Sequence, residues 1–123
     1  MYPYHNILSP SAPFVPIVIS SVTNPVQTYN KYALLDTGAS ISMIPLSVIN
    51  ELELQEIRRR TLTGATGKAK RRFYTINITF HGRTFNGMTV AEFDQGNFII
   101  VGRDIINAMH ICFDGPNLLA NVV

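Results

Sequence analysis

Hydrophobic and polar positions alternate along most of this chain, and where the alternation is regular its period is two. Tyr74-Thr75-Ile76-Asn77-Ile78-Thr79-Phe80 is the clearest stretch, placing Ile76, Ile78 and Phe80 on one face of a predicted strand. Phe14 to Val22 is rich in β-branched residues and reads as another strand, with Pro16 confining it to an edge or to the strand's first residues. Lys31 to Leu35, Ser40 to Ile44, Phe85 to Phe93 and residues 97–101 continue the series. Ile111 to Phe113 and Leu118 to Val122 are predicted terminal strands around the turn Asp114-Gly115-Pro116-Asn117. Only Pro45 to Leu54 departs clearly: a proline followed by apolar residues at 46, 49, 52 and 54 predicts one short helix. Asp104 to His110 has room for no more than two helical turns. Residues 1–13, with Pro3, Pro10 and Pro13, are expected to form an extended or mobile arm ahead of an all-β domain over 14–123.

Two places break the pattern in the same way. In Tyr32-Ala33-Leu34-Leu35-Asp36-Thr37-Gly38-Ala39-Ser40 an apolar strand delivers one carboxylate onto a glycine turn. An aspartate at the edge of a core needs donors, because an unpaired buried charge is costly. Gly38 permits a positive φ that would turn backbone N–H groups toward the acid, and Thr37 offers a short donor and acceptor. A plain turn capping the next element uses the same residue types, so this stretch alone decides nothing. Phe98-Ile99-Ile100-Val101-Gly102-Arg103-Asp104-Ile105-Ile106 repeats the move. Between them, Thr61-Leu62-Thr63-Gly64-Ala65-Thr66-Gly67-Lys68 is a small-residue turn joining two extended arms, Glu56 to Leu62 and Lys70 to Phe80.

The ordered set L-x-D-T-G-A, a glycine-containing hairpin and I-x-V-G-R-D resembles the retroviral-type (retropepsin-like) aspartic proteases over roughly residues 14–122. The resemblance implies a closed, β-barrel-like acid protease fold with one or two short helices and a flap hairpin, active as a homodimer. Pepsin-like enzymes carry two D-T-G loops in one chain, and this chain has one. Asp36 is then the catalytic residue, with Thr37, Gly38 and Ala39 supporting its loop and Thr37 bonding across the interface. Thr63, Gly64, Ala65, Thr66 and Gly67 form the flap over an extended peptide or polyprotein substrate, with Thr66 where an apolar tip residue is usual. Ile44, Phe98 and Ile100 are candidate subsite residues and otherwise ordinary core. Gly102, Arg103 and Asp104 match the family's structural glycine and dimer-stabilising polar pair, with Arg103 expected in a bidentate contact with a carboxylate. The last strand is expected at the dimer interface or on its own sheet. Ala39 replaces a serine common after the glycine of pepsin-like enzymes; loss of that donor predicts a mildly rather than strongly acidic optimum. The mechanism requires no metal and no cofactor.

Composition adjusts this picture in a few places. A chain of 123 residues with 46% hydrophobic residues makes one domain with a modest core. Net charge is only +2, too mild to argue for nucleic acid. Yet seven of the ten Lys and Arg residues fall at Arg58, Arg59, Arg60, Lys68, Lys70, Arg71 and Arg72, beside the flap. A solvated basic face is the simplest account, a preference for acidic substrate segments the second; no interleaved aromatics favour nucleic acid. Cys112 is the only cysteine, so an intrachain disulfide is excluded and a buried, inert thiol in a reducing compartment is expected. His5, His81 and His110 show no ligand spacing. The N-terminus lacks a basic n-region and no run reaches membrane-spanning length, so a cytoplasmic protein without a membrane partner is expected. Two other function classes fit the pattern less well. One is a catalytically silent dimer that binds extended peptides as a scaffold, against which the intact Asp36-Thr37-Gly38 argues. The other is a basic nucleic-acid-binding β domain gripping phosphates through Arg58 to Arg72, which would be indifferent to Asp36→Asn and strongly salt-dependent.

Overall fold

The computed structural model describes residues 1–64 and 67–123, with the backbone alone for 60, 62–64 and 69. Its longest strand, β6 (Gly67–Phe80), serves two neighbours on one side, and this division shapes the molecule. The half nearer Phe80 pairs with β2 (Phe14–Ser21) through Val18↔Thr79 to Ser21↔Ile76. The other half pairs with β5 (Arg58–Gly64), from Arg58↔Phe73 to Gly64↔Gly67. With β3 (Thr28–Leu35), β4 (Met43–Pro45), β7 (Arg83–Phe93) and β8 (Ile99–Val101), the order is β2-β3-β8-β4-β7-β6-β5. The β2–β6 pairing closes the first six of these into a barrel and leaves the β5–β6 hairpin projecting from it.

Closure explains the alternation. Ile76 and Ile78 have no exposed surface and Phe80 is 1% exposed, each turned into the barrel with Val15, Ile17, Ile19, Ala33, Val90 and Val101. Each such side chain contributes about 1.5–3 kcal/mol on burial. Pro16 lies where β2 pairs only with β3, before β6 joins on the other side at Val18. Its missing N–H therefore costs the sheet nothing. A bulge interrupts β6–β7 between Ile76 and Ile78, where Gly87 adopts φ +64° and donates its N–H to Asn77 Oδ1 at 2.9 Å. The β6–β7 turn is His81-Gly82, both at positive φ, a two-residue hairpin turn.

Several boundaries move. The predicted strand Ser40 to Ile44 is strand only from Met43, because residues 36–42 are held as a loop by contacts described below. The predicted helix shrinks to α1 (Leu46–Glu51), with Pro45 extended at its N-cap and Glu53 at φ +52° beyond its end. A second helical turn, α2 (Arg103–Ile106), follows β8.

The termini form a separate three-stranded sheet, β1 (Tyr2–Pro3), β10 (Leu119–Val122) and β9 (Ile111–Asp114), in that order. The N-terminal arm is extended and paired: Tyr2 opposes Ala120, Tyr4 N–H donates to the Leu118 carbonyl, and His5 bridges Ala12. The last strand thus lies on the chain's own sheet with a neighbour on each side. Cys112 is corrected from buried to exposed, because β9 is the outer strand of this small sheet and its apolar run lies at an edge instead of in the barrel. Among the described residues, no helix is long and apolar enough to cross a membrane.

Replacing a barrel residue with no exposed surface leaves a cavity that the closed sheet cannot collapse around. Ile78→Ala is expected to lower unfolding free energy by about 2–5 kcal/mol, and Leu46→Ala, at 58% exposed, by less than about 0.5 kcal/mol, both read by urea denaturation.

Candidate active site

The barrel places Asp36 at the end of β3, where the chain must cross over β8 to reach β4. β3 runs parallel to β8 through Ala33↔Ile99, Leu34↔Ile100 and Leu35↔Val101, and β4 lies on the other side of β8 with Met43 opposite Ile100. Residues 36–42 therefore arch over the end of β8. The Asp36 N–H extends the ladder by donating to the Val101 carbonyl at 3.0 Å, and Leu35 N–H donates to the Pro13 carbonyl at 3.0 Å. Asp36 thereby starts from a backbone fixed on both sides.

Its side chain is half-buried and accepts one hydrogen bond, from Gly38 N–H to Oδ1 at 2.8 Å. Gly38 is not in the left-handed region, so the expected positive φ is corrected: a Cβ there would stand 3.1 Å from Asp36 Oδ1, and closeness to the carboxylate is what favours glycine. No side chain among the described residues donates to the Asp36 carboxylate. The second oxygen is left for solvent or for a group from outside the chain.

The arch is held from below. Gly102 lies under it so closely that a Cβ would meet the Ile41 carbonyl carbon at 2.8 Å and the Ala39 oxygen at 2.9 Å. No side chain fits there without moving backbone. Arg103 N–H donates to the Ala39 carbonyl at 2.8 Å, and its guanidinium Nη1 donates to the Thr37 carbonyl at 2.7 Å. The expected Arg103–carboxylate contact is corrected: Arg103 is exposed and grips the backbone of the D-T-G turn. Asp104 serves a different partner. Its Oδ2 accepts from Ser42 N–H at 2.9 Å and its Oδ1 from Ser42 Oγ at 2.7 Å, while Ser42 Oγ accepts from Gly102 N–H at 3.1 Å.

Ser42, with no exposed surface, is the residue that sequence reasoning missed. The signal was present: Ser42 and Ile44 share parity in a segment leading into the core, and a serine on an inward face must be hydrogen-bonded. Its partner Asp104 matches the family's interface pair in sequence, a likeness that conceals this contact within the chain.

The remaining candidates separate. Ile44 is fully enclosed and is corrected from subsite to core; Ile100 is 5% exposed and nearly so. Phe98 keeps surface, packed edge-on against Phe14 at 5.3 Å between ring centroids and tilted against Phe93 at the same separation. In the hairpin, Thr63 opposes Lys68 and Gly64 opposes Gly67, whose φ is +122°. The expected flap-tip residues Ala65 and Thr66 lie outside the described residues. No group of three or more His, Cys, Asp or Glu among the described residues is placed to hold a metal ion.

The model of a family described as aspartyl protease matches residues 26–105, which include the D-T-G turn, both hairpin arms and the Gly102-Arg103-Asp104 segment. The chain belongs to the aspartyl protease family. Among curated protein sequences none matches it significantly. Among solved structures it is similar to EIAV protease complexed with the inhibitor HBY-793, at 25% identity and a TM-score of 0.57, over 85% of this chain and 91% of that one. The fold of this family member is retropepsin-like: all-β, with a closed barrel and two short helices.

Within this candidate site, the Ser42–Asp104 clasp is the part most open to test. Asp104→Ala leaves the buried Ser42 N–H and hydroxyl unsatisfied, so unfolding free energy should fall by about 1–3 kcal/mol. Arg103→Ala removes one exposed contact to a carbonyl and should cost about 1 kcal/mol or less, read by denaturant titration of both variants.

Proposed function

We propose that this chain is an aspartic endopeptidase whose active unit is a homodimer, with one Asp36 from each copy forming a carboxylate pair that hydrolyses peptide bonds of extended polypeptides. The observation that carries this reading is that no second carboxylate is hydrogen-bonded to Asp36 among the described residues. One oxygen is held by Gly38 N–H, and the nearby acid in the same segment cluster, Asp104, is committed to Ser42. Water activation by an acid/base pair needs a second carboxylate, and a second copy of the same loop supplies it.

In the pair, carboxylates about 3 Å apart share one proton because both cannot ionise cheaply. The ionised member takes a proton from a bound water as its oxygen attacks the scissile carbonyl carbon. The protonated member hydrogen-bonds the carbonyl oxygen and gives it that proton as the tetrahedral intermediate forms. Collapse of the intermediate breaks the C–N bond and passes a proton to the leaving amine. The fixed backbone of the 36–42 arch holds each carboxylate in place for these transfers. Thr37, exposed on the same turn, is positioned in this reading to bond across the two-fold axis, and the β5–β6 hairpin to close over the substrate. Phe98 is the subsite candidate that retains surface. The lone thiol fits the cytoplasmic setting included in the proposal.

Cleavage of a mixed peptide library tests this reading. Wild-type cleavage should trace a bell-shaped pH profile, since one proton shared by the pair must be present for the acid and only one for the base. Specific activity should fall on dilution as the dimer separates. Asp36→Asn should reduce turnover by at least about a thousandfold. A folded Asp36→Asn protein that still cleaves, or the absence of wild-type cleavage at every pH and concentration with a folded dimer, contradicts the proposal. The second of these outcomes favours the peptide-binding scaffold.

A further inference from the structure

The basic hairpin divides its charges by face. Directly opposed residues in an antiparallel pair point to the same side, and alternate residues to opposite sides. The register Arg59↔Arg72, Thr61↔Lys70 and Thr63↔Lys68 thus sets Arg59, Lys68, Lys70 and Arg72 on one face with Thr61. Arg58 and Arg71 lie on the other face with Phe73 and are engaged within the chain. Arg58 stands over the Phe73 ring at 5.2 Å from its centroid, and Arg71 Nη1 donates to Asp94 at 2.8 Å. On the first face Arg59 pairs with Glu56 at 2.6 Å, which holds its guanidinium pKa above the ordinary value, mainly through that hydrogen bond. Lys68 and Lys70 are exposed and have no carboxylate within 4.0 Å among the described residues.

This arrangement works against the hairpin itself. Arg59 opposes Arg72, and like charges directly opposite are destabilising in a ladder. The hairpin projects as two strands, the least self-sufficient kind of sheet. Glu56 and Asp94 offset Arg59 and Arg71 from within the chain, whereas Lys68 and Lys70 have no such carboxylate among the described residues and are left for an anion from outside. Lys68, Lys70 and Arg72 occur at every second residue of β6, so they recur at about 7 Å. Carboxylates at alternate positions of an extended polypeptide recur at the same interval.

We propose that the Lys68–Lys70–Arg72 row on this face of the hairpin is a docking strip for an extended acidic polypeptide segment with Asp or Glu at alternate positions. This rests on the protease reading, and there it defines a substrate class: chains carrying such a segment apart from the scissile bond. The strip has no exposed aromatic among its residues on which bases would stack, which favours an acidic peptide over single-stranded nucleic acid. Contacts of this kind are exposed, so they act on encounter and selectivity and weaken with salt.

The test separates docking from catalysis by measuring binding with the full-length Asp36→Asn protein. The probe is a fluorescent peptide of alternating Thr and Glu, compared with its Thr/Gln counterpart and with a single-stranded DNA oligonucleotide of similar length, using anisotropy at low and high salt. The Glu peptide should bind about tenfold or more tightly than the Gln peptide, lose that advantage at high salt, and bind more tightly than the oligonucleotide. Lys68→Glu with Lys70→Glu should remove the advantage, and Lys68→Ser with Lys70→Ser should reduce it. Equal binding of Glu and Gln peptides, no binding of either, or indifference to both double variants overturns the strip. Tighter binding of the oligonucleotide overturns it in favour of nucleic acid. Wild-type cleavage of neutral peptides is scored separately, so that a protease without a strip and a strip without protease activity give different results.

Discussion

The structure depends on how a seven-residue arch is held over the end of one short strand. A carboxylate that must act on a substrate cannot be buried in the barrel, and it cannot ride on a loose loop. Crossing from β3 to β4 over β8 lifts residues 36–42 out of the sheet while keeping both ends in it. The contact then tightens to the point where only glycine fits beneath, with a Cβ of Gly102 falling 2.8 Å from the Ile41 carbonyl carbon. The two residues after Gly102 complete the hold: Arg103 takes the carbonyls of Thr37 and Ala39, and Asp104 takes Ser42. Gly-Arg-Asp is thus a cradle for Asp-Thr-Gly within one chain. The two motifs are separated in sequence and joined in space because β8 runs beside β3.

The elements that the sequence made legible are those whose residues answer to one neighbour. Ile76, Ile78 and Phe80 alternate because one face of β6 lines the barrel, and alternation is visible without knowing the partner strand. Asp36 and Gly102 could be singled out because an acid and a glycine at the ends of apolar strands conflict with their surroundings. What stayed hidden required a partner. Ser42 is meaningful only beside Asp104, and Arg103 was assigned a carboxylate when the crossover presents it with carbonyls. Ile44 and Ile100 are apolar both as core and as subsite, so only their exposure separates the two roles. Cys112 was misplaced for a related reason: an apolar run reads as core until the small terminal sheet puts it on an outer strand.

The chain also divides an enclosed half of β6 from a projecting one. Its Phe80 half is enclosed by β2 and β7 and carries the barrel's interior side chains. From Gly67 to Arg72 it pairs, among the described residues, with β5 alone, and this stretch gathers the cations. The same strand therefore anchors a closed core at one end and offers a charged, weakly supported hairpin at the other. Local opening of the second is expected to leave the first intact. In the proposed function this region is the covering element, and in the proposed docking strip its charge pattern supplies selectivity.

The central claim is that a complete site takes one Asp36 from each of two chains, and mixing tests it most directly. Wild type and Asp36→Asn are combined at constant total subunit concentration, allowed to exchange, and assayed for peptide cleavage. If the two carboxylates come from different chains, activity follows the square of the wild-type fraction, about one quarter at an equal mixture, because only wild-type pairs are competent. Activity that falls linearly, to about one half, means that each chain acts with its own Asp36 alone and contradicts the account.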